Sequence, residues 1–386
     1  MIRRSPRGVL AVAAIAALLL SGCTTTLPER NDDGTVRSIY VSPDGSGGEC
    51  TEESPCAFSS GIDAAQAGAE ILVLPGEYPD MQVRAPGSYS SYEENVVVRP
   101  VDPASVVMGK IETFAPNITW RDFQLGSVFY VKPDGHGTRL EKVHQNGSGT
   151  FLKSSDITVV DSVFENGASL DGLQIAGAEN VLVENSIVRN YNQSGEKDYH
   201  ADCVQIFDSK NVVLRGNYLG NCYNASIIFS GGAQKGLSDV LIEGNFVQGC
   251  RDKNDTCAYG TLIDLREPSA TRVTLRNNTM LGGSVRISPL PELVVDRNVF
   301  DYLSNCDTPM TNSIVQQWNR GNCETPDAIG HDGNRQGEVQ VADRYAGDFT
   351  LTDTESARIQ PVGDWGPAPL AHDGSPMDPT LAGASN

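Results

Sequence analysis

Short apolar runs recur along most of the chain, each broken by a polar turn position and followed by a second alternating stretch. Aligned, they read "ITWRDFQL", "TRLEKVHQ", "ITVVDSVF", "VLVENSIV", "VVLRGNYL", "VLIEGNFV", "VTLRNNTM" and "LVVDRNVF". The turn positions are Asp122, Lys142, Asp161, Asn185, Asn217, Asn245, Asn278 and Asn298, at intervals of 20, 19, 24, 32, 28, 33 and 20 residues. Alternation of period two predicts strands. No amphipathic helical stretch separates them, which excludes a βαβ protein, and the leucine frame of a leucine-rich repeat is missing. The remaining solution is an all-β parallel β-helix, each coil adding a rung about 4.8 Å above the last.

The runs flanking each turn supply two strands per coil. A third lies between successive repeats, at "DGLQI" (171), "DCVQI" (202), "ASIIF" (225), "TLIDL" (261) and "SVRIS" (284). Alternation turns Leu173/Ile175, Val204/Ile206, Ile227/Phe229 and Ile263/Leu265 inward. The outward row then reads Gln174, Gln205, Ile228, Asp264, Arg286, with Arg266 beside Asp264. Five of the eight turn positions are asparagine, which tolerates left-handed backbone and can bond the rungs above and below, so this ladder is expected to be scaffold. The two longest intervals are swollen by "NYNQSGEKDYHA" and "CRDKNDTCAYG", both entering the third strand at the same corner. "SGGAQKGLSD" leaves that face from its other edge. Long loops on a rigid scaffold are where binding chemistry concentrates.

Residues 39–78, "IYVSPDGSGGECTEESPCAFSSGIDAAQAGAEILVLPGEY", resemble the N-terminal entry of right-handed parallel β-helix proteins of the pectate-lyase-like superfamily, and "GDFTLTDTESARI" (347–359) resembles their closing segment. The resemblance implies a right-handed, single-stranded parallel β-helix over 39–366, with a short capping helix near "SSGIDAAQA" and a first coil at "LVLPGEY". It implies little chemistry, because such folds carry lyases, hydrolases, epimerases and non-catalytic proteins. The aspartate-dense "ADDGFD"-like run of pectate lyases, the paired aspartates and Gly-His-Gly of polygalacturonases, and the Asp-Pro-His-Glu of alginate epimerases are absent from the sequence. Residues 367–386, rich in proline, glycine and small side chains, read as a loose tail.

The opening "MIRRSPRGVLAVAAIAALLLSGC" has three arginines, an apolar run and small residues, the pattern of an export signal over 1–22. Its "LSGC" resembles a bacterial lipobox, which implies lipid on Cys23, a polar tether over 23–38, and a protein on the extracytoplasmic face of a membrane. Membrane contact is then through that lipid only. Eight cysteines remain, an even number that suits an oxidising compartment. Cys50–Cys56 and Cys306–Cys323 are natural local pairs. Cys222 and Cys250 occupy matching positions one rung apart, which permits a bridge; if all four of Cys203, Cys222, Cys250 and Cys257 pair, Cys203–Cys222 and Cys250–Cys257 fit better. Without the leader's arginines the 29 Lys and Arg fall to 26 against 49 acids, a net of −23. Such a chain is not a nucleic-acid binder. It also repels a polyanionic glycan, unless a local basic face or calcium offsets the field.

Chemistry concentrates at "YHADCVQ", which resembles a His-x-Asp-x-x-Gln stretch of bacterial β-helix proteins with no chemistry attached. His200 suits a general acid or base oriented by Asp202. Asp171 stands one rung from Asp202, the carboxylate spacing of a retaining glycosidase, and Asp264 about two rungs away, nearer the inverting range. An elimination reaction would instead draw a base from His200, Arg266 or Arg286, with calcium on Asp171, Asp202 or Asp264. Gln174, Gln205 and Arg286 would face sugar. Against these stand plainer readings: aspartates bonding their own turns, arginines paired with Asp264, and amides stacked between rungs. The expectation is a monomer acting on extracellular polysaccharide, as a lyase- or glycosidase-like enzyme with a site over 171–286, or binding glycan without turnover.

Overall fold

The computed structural model describes residues 38–193, 200–230, 236–250, 257, 260–267, 269–363, 368–371 and 374–384. The leader, Cys23 and nearly all of the tether lie outside them. Eleven parallel strands, from Ser38–Val41 through Glu179–Glu184 and Lys210–Arg215 to Val294–Asp296, stack in sequence order as one face of a solenoid. The other two faces join into a single 18-stranded sheet, because Thr279–Ile287 pairs with both Phe246–Gln248 and Thr261–Leu265. The hairpin Gln340–Asp343/Asp348–Asp353 is antiparallel. Among the described residues, no helix is long and apolar enough to cross a membrane.

Alternation fills the interior as the sequence pattern requires. Leu173, Ile175, Val204, Ile206, Ile227, Ile263 and Leu265 are fully buried. The capping helix is Phe58–Ala64. It closes the first rung at contact distance, for a Cβ on Gly61 would lie 2.4 Å from Val41 Cγ1.

The turn ladder is two columns, which a single alignment merged. Asp122, Lys142, Asp161 and Asn185 have left-handed backbone, and their counterparts higher up are Gly216, Gly244, Asn277 and Arg297. The next residue points inward: Ser162, Ser186, Asn217, Asn245, Asn278 and Asn298 are all buried. Asn217, Asn245 and Asn278 each donate from Nδ2 to the Oδ1 of the asparagine one rung on, at 3.0, 2.9 and 3.0 Å. Asn185 therefore belongs to the strained column and the other four asparagines to the buried one. Two further asparagine columns line the other corners, Asn146–Asn166–Asn190–Asn221 and Asp156–Asn180–Asn211, joined by side-chain hydrogen bonds.

All four disulfides form: Cys50–Cys56, Cys203–Cys222, Cys250–Cys257 and Cys306–Cys323. The C-terminal segment differs from the loose tail its composition suggests. Residues 374–384 return along the solenoid, with Ala382 N donating to Ala357 O and Gly383 N to Arg297 O. Ala382 and Ala384 join a second apolar cluster with Phe246, Phe349 and Ile359. Small side chains here permit close packing against the coils.

Candidate functional site

The corner between the second and third strands carries the site. Ile187–Arg189 ends at Asn190, whose left-handed backbone turns the chain, and buried Tyr191 donates its hydroxyl to Ser148 O at 2.8 Å. That anchor fixes where the long insertion leaves. Its return is fixed by Asn224 N, which donates to Ala201 O at 3.0 Å, and by the Cys203–Cys222 disulfide. Insertion residues 194–199, like 231–235, 251–256 and 258–259 in the other two swellings, lie outside the described residues. The flanking strands nevertheless place the first and third swellings at one corner, entering Val204–Phe207 and Thr261–Leu265.

Asp171, His200 and Asp202 converge there. His200 Nδ1 lies 3.0 Å from Asp202 Oδ2 and 3.5 Å from Asp171 Oδ1. The carboxylates are interior, with side chains 4% and 0% exposed, whereas the imidazole is 51% exposed. Asp171 reaches this position because Gly172 lets the backbone approach: a Cβ there would lie 2.8 Å from Cys203 O and 2.7 Å from the Tyr191 ring. Asp171 Oδ1 also accepts from Asp202 N at 3.0 Å, and its Oδ2 from Gln174 Nε2 at 3.2 Å. Asp202 Oδ1 accepts from Asn224 Nδ2 at 2.8 Å. Its buried Oδ2 has the imidazole as its contact, off the axis of a well-formed hydrogen bond.

Electrostatics follow from this layout. The carboxylates of Asp171 and then Asp202, both close to Nδ1, push His200 up to about 10, so the ring is an imidazolium at neutral pH. Burial raises Asp202 above the ordinary carboxylate range, against the pull of His200 and Asn224. The charged ring thus compensates carboxylates that burial would otherwise make costly.

Several sequence-derived roles change. Asp171 and Asp202 are both interior and both face the His200 imidazole, rather than standing open as a carboxylate pair on the surface. Gln205 pairs in register with Gln174 but is itself buried, its Oε1 taken by Gln174 Nε2 at 2.8 Å. Asp264, Arg266 and Arg286 form a second cluster beyond Ile228. There Arg266 grips Asp264 through two bonds of 2.5 Å, and Arg286 lies 3.7 Å away. The Asp264 hydrogen bond raises Arg266 further, so that arginine is no base. Asn224 was not among the sequence candidates; its one signal was an asparagine just ahead of a third strand, at the corner where other rungs carry aspartate.

Asp171, His200 and Asp202 each offer a ligand atom within 4.8 Å of the others. Two carboxylates and an imidazole are not the set of about six to eight oxygens calcium takes. Both oxygens of Asp264 already accept from Arg266. These residues do not fit a calcium ion.

The family model described as "Right handed beta helix region" matches residues 129–306. Pectate lyase L of Dickeya chrysanthemi is 24% identical over 214 residues, 53% of this chain and 48% of that protein. The chain thus spans about half the length of that curated relative. The crystal structure of pectate lyase Pel9A superposes with a TM-score of 0.50 at 14% identity, covering 93% of this chain and 90% of that one. The catalytic unit of a GH87 α-1,3-glucanase from Streptomyces thermodiastaticus gives a TM-score of 0.46 at 14% identity, over 83% of this chain and 71% of that one.

Proposed function

We propose that this right-handed parallel β-helix protein, which has the fold of the pectate-lyase-like superfamily, acts on extracellular polysaccharide, with His200 as the group that meets the glycan. One observation carries the reading: a half-exposed imidazole held by two interior carboxylates, beside the outward third-strand row. The pectate lyases to which the chain is similar are named for a glycan-cleaving activity, which supports the substrate class. Hydrolysis and elimination both require a proton for the departing glycosidic oxygen. His200 holds one, with Asp171 and Asp202 fixing the ring and its charge. The lipid on Cys23 would keep the monomeric domain on the extracytoplasmic face of its membrane.

A second reading has its own support. An imidazolium held as high as about 10 gives up its proton reluctantly, which suits a hydrogen-bond donor in a non-catalytic glycan-binding protein. Incubating the soluble domain with a glycan panel, reading unsaturated-uronate absorbance and reducing ends, separates the two. In an enzyme, His200→Ala lowers turnover at least ~10²-fold. In a binder the wild type gives no product and the variant loses affinity modestly. Neither turnover nor binding across the panel sinks both readings. Cys23→Ser releases the protein from the membrane fraction or blocks its maturation; unchanged fractionation sinks the anchor.

A further inference from the structure

The second strands carry an outward row of their own, on the face that precedes the His200 corner. In register it runs Val163, Ile187, Tyr218 and Phe246, then Thr279, Val299 and Ile314. The C-terminal segment covers the later part of this row, where Phe246, Val299 and Ile314 pack with Phe349, Ile359 and Ala382. The cover stops at Tyr218. Gly347, with φ at +81°, brings the hairpin turn onto that ring, since a Cβ there would lie 2.5 Å from Tyr218 Oη. The Tyr218 hydroxyl donates to Gln248 Oε1, and Gln248 Nε2 donates to Arg344 O and Tyr345 O at 2.7 and 2.8 Å, so ring and turn are fixed together. Beyond this wall Val163 and Ile187 are only half-buried, and a cavity of about 520 Å³ lies between hairpin and coils. Its apolar lining is Val163, Ile187, Tyr218, Phe246 and Phe349. Asp161, Asn185, Arg189 and Asp348 supply the polar part.

We propose that this cavity is a separate carbohydrate site, taking an uncharged pyranose residue on the second-strand face of the solenoid. The proposal goes beyond the reading above, because it needs no role for His200. A cavity of this size falls among small-ligand clefts, which hold roughly 300–1,000 Å³ and combine an apolar lining with a few polar groups. A pyranose is divided in the same way: its C–H face suits aliphatic and aromatic side chains, and its edge carries hydroxyls that both donate and accept. The polar side chains here share out those tasks. Ionised Asp161 and Asp348 accept, Arg189 donates, and Asn185 does both. The side chains of Asp161 and Asn185 have no hydrogen-bond partner among the described residues, so both are available to a ligand. Asp348 Oδ1 accepts from Thr350 N at 3.0 Å, and Arg189 Nε donates to Glu165 at 2.8 Å. Charge then selects the class of sugar. An anionic residue would meet two carboxylates, and the arginine beside them is already neutralised by Glu165.

The test is calorimetric titration of the wild type, His200→Ala, Asn185→Gly and Ile187→Lys with neutral tetrasaccharides of glucose, mannose, galactose and xylose, and with tetragalacturonate as the charged control. The expected result is binding of at least one neutral tetrasaccharide, equal in wild type and His200→Ala. Asn185→Gly should weaken it about fivefold, the scale of one neutral hydrogen bond. Ile187→Lys should abolish it, by placing an ammonium on the apolar floor. Asn185→Gly keeps the fold because glycine adopts the left-handed backbone of that position, so it remains decisive even where Ile187→Lys fails to fold. Neutral binding that Asn185→Gly leaves unchanged, or no neutral binding at all, overturns the site. Tighter binding of tetragalacturonate, weakened by Asn185→Gly, overturns its assignment to an uncharged sugar. Glycan binding or cleavage that depends on His200 alone keeps the earlier reading and loses this one. Neutral binding that depends on Asn185 and Ile187, with nothing on the glycan panel altered by His200→Ala, keeps this site and loses the earlier reading.

Discussion

His200 Nδ1 lies 3.0 Å from the carboxylate of Asp202, and the two belong to different environments: the aspartate is sealed inside the coil and the ring stands half in solvent. Asp171 completes the arrangement from one rung away, at 3.5 Å. An acid so deeply buried is costly without a partner, and the partner here is the His200 imidazole. The pair couples scaffold to surface, because whatever fixes Asp202 also fixes the charge displayed by His200.

That coupling sets a pH dependence. In the unfolded chain His200 titrates near ~6.5; in the fold it is held up to about 10. The folded protein therefore carries an extra proton between those values. The stability it confers is complete below about 6.5 and is lost as pH rises through about 10. The melting temperature should decline over that window, and His200→Gln should flatten the decline. Imidazole resonances still titrating near neutrality would contradict the ion triad.

Asn245 offers a sharper stability test. Its backbone N and Nδ2 both donate to Asn278 Oδ1, Nδ2 also reaches Leu214 O, and its Oδ1 accepts from Asn217. Asn245→Leu would strand the asparagine below and leave buried backbone unpaired, costing about 3 kcal/mol. Asn185→Gly, in the left-handed column, should be neutral or slightly stabilising. Equal effects in urea titrations would mean that the two columns are wrongly separated.

The contrast between these asparagines shows how far the sequence reached. Period-two alternation located the third strand at 171, 202, 225, 261 and 284, and the outward row Gln174–Gln205–Ile228–Asp264–Arg286 is matched residue for residue by the strand register. Turn columns one residue apart could not be separated, since asparagine suits both a left-handed turn and an inward amide ladder. At the site, the His200–Asp202 spacing was visible. The burial of Asp171 and Asp202 was not, because corner residues escape the alternation that tells inside from outside; Gln205 is mid-strand in the outward row and is buried all the same, its Oε1 accepting from Gln174.

The Cys203–Cys222 bridge should position the site as well as stabilise it. Cys203 follows Asp202, and Cys222 precedes by two residues the Asn224 that donates to Asp202 Oδ1. Replacing both cysteines with alanine should cost about 3 kcal/mol, the scale expected for a closed loop of this size. It should also shift the His200 titration toward neutrality, as the Asp202 cradle loosens. A loss of stability with the His200 titration unmoved would leave the bridge a staple and nothing more.

Asp202→Asn separates charge from shape. The amide occupies the same volume and can keep the Asn224 contact after a flip, so circular dichroism should remain that of the wild type. One of the two carboxylates holding the imidazolium is gone, however, and the His200 pKa should fall from about 10 toward its unperturbed value. In an enzyme that uses His200 as a proton donor, activity on an identified glycan should then be lost at alkaline pH and retained under acid conditions, displacing the pH–rate profile downward. In a binding protein the affinity should follow the same titration with no product formed. Should Asp202→Asn leave both the His200 titration and the pH profile in place, the carboxylate is a turn residue, and the charge at this corner does not depend on it.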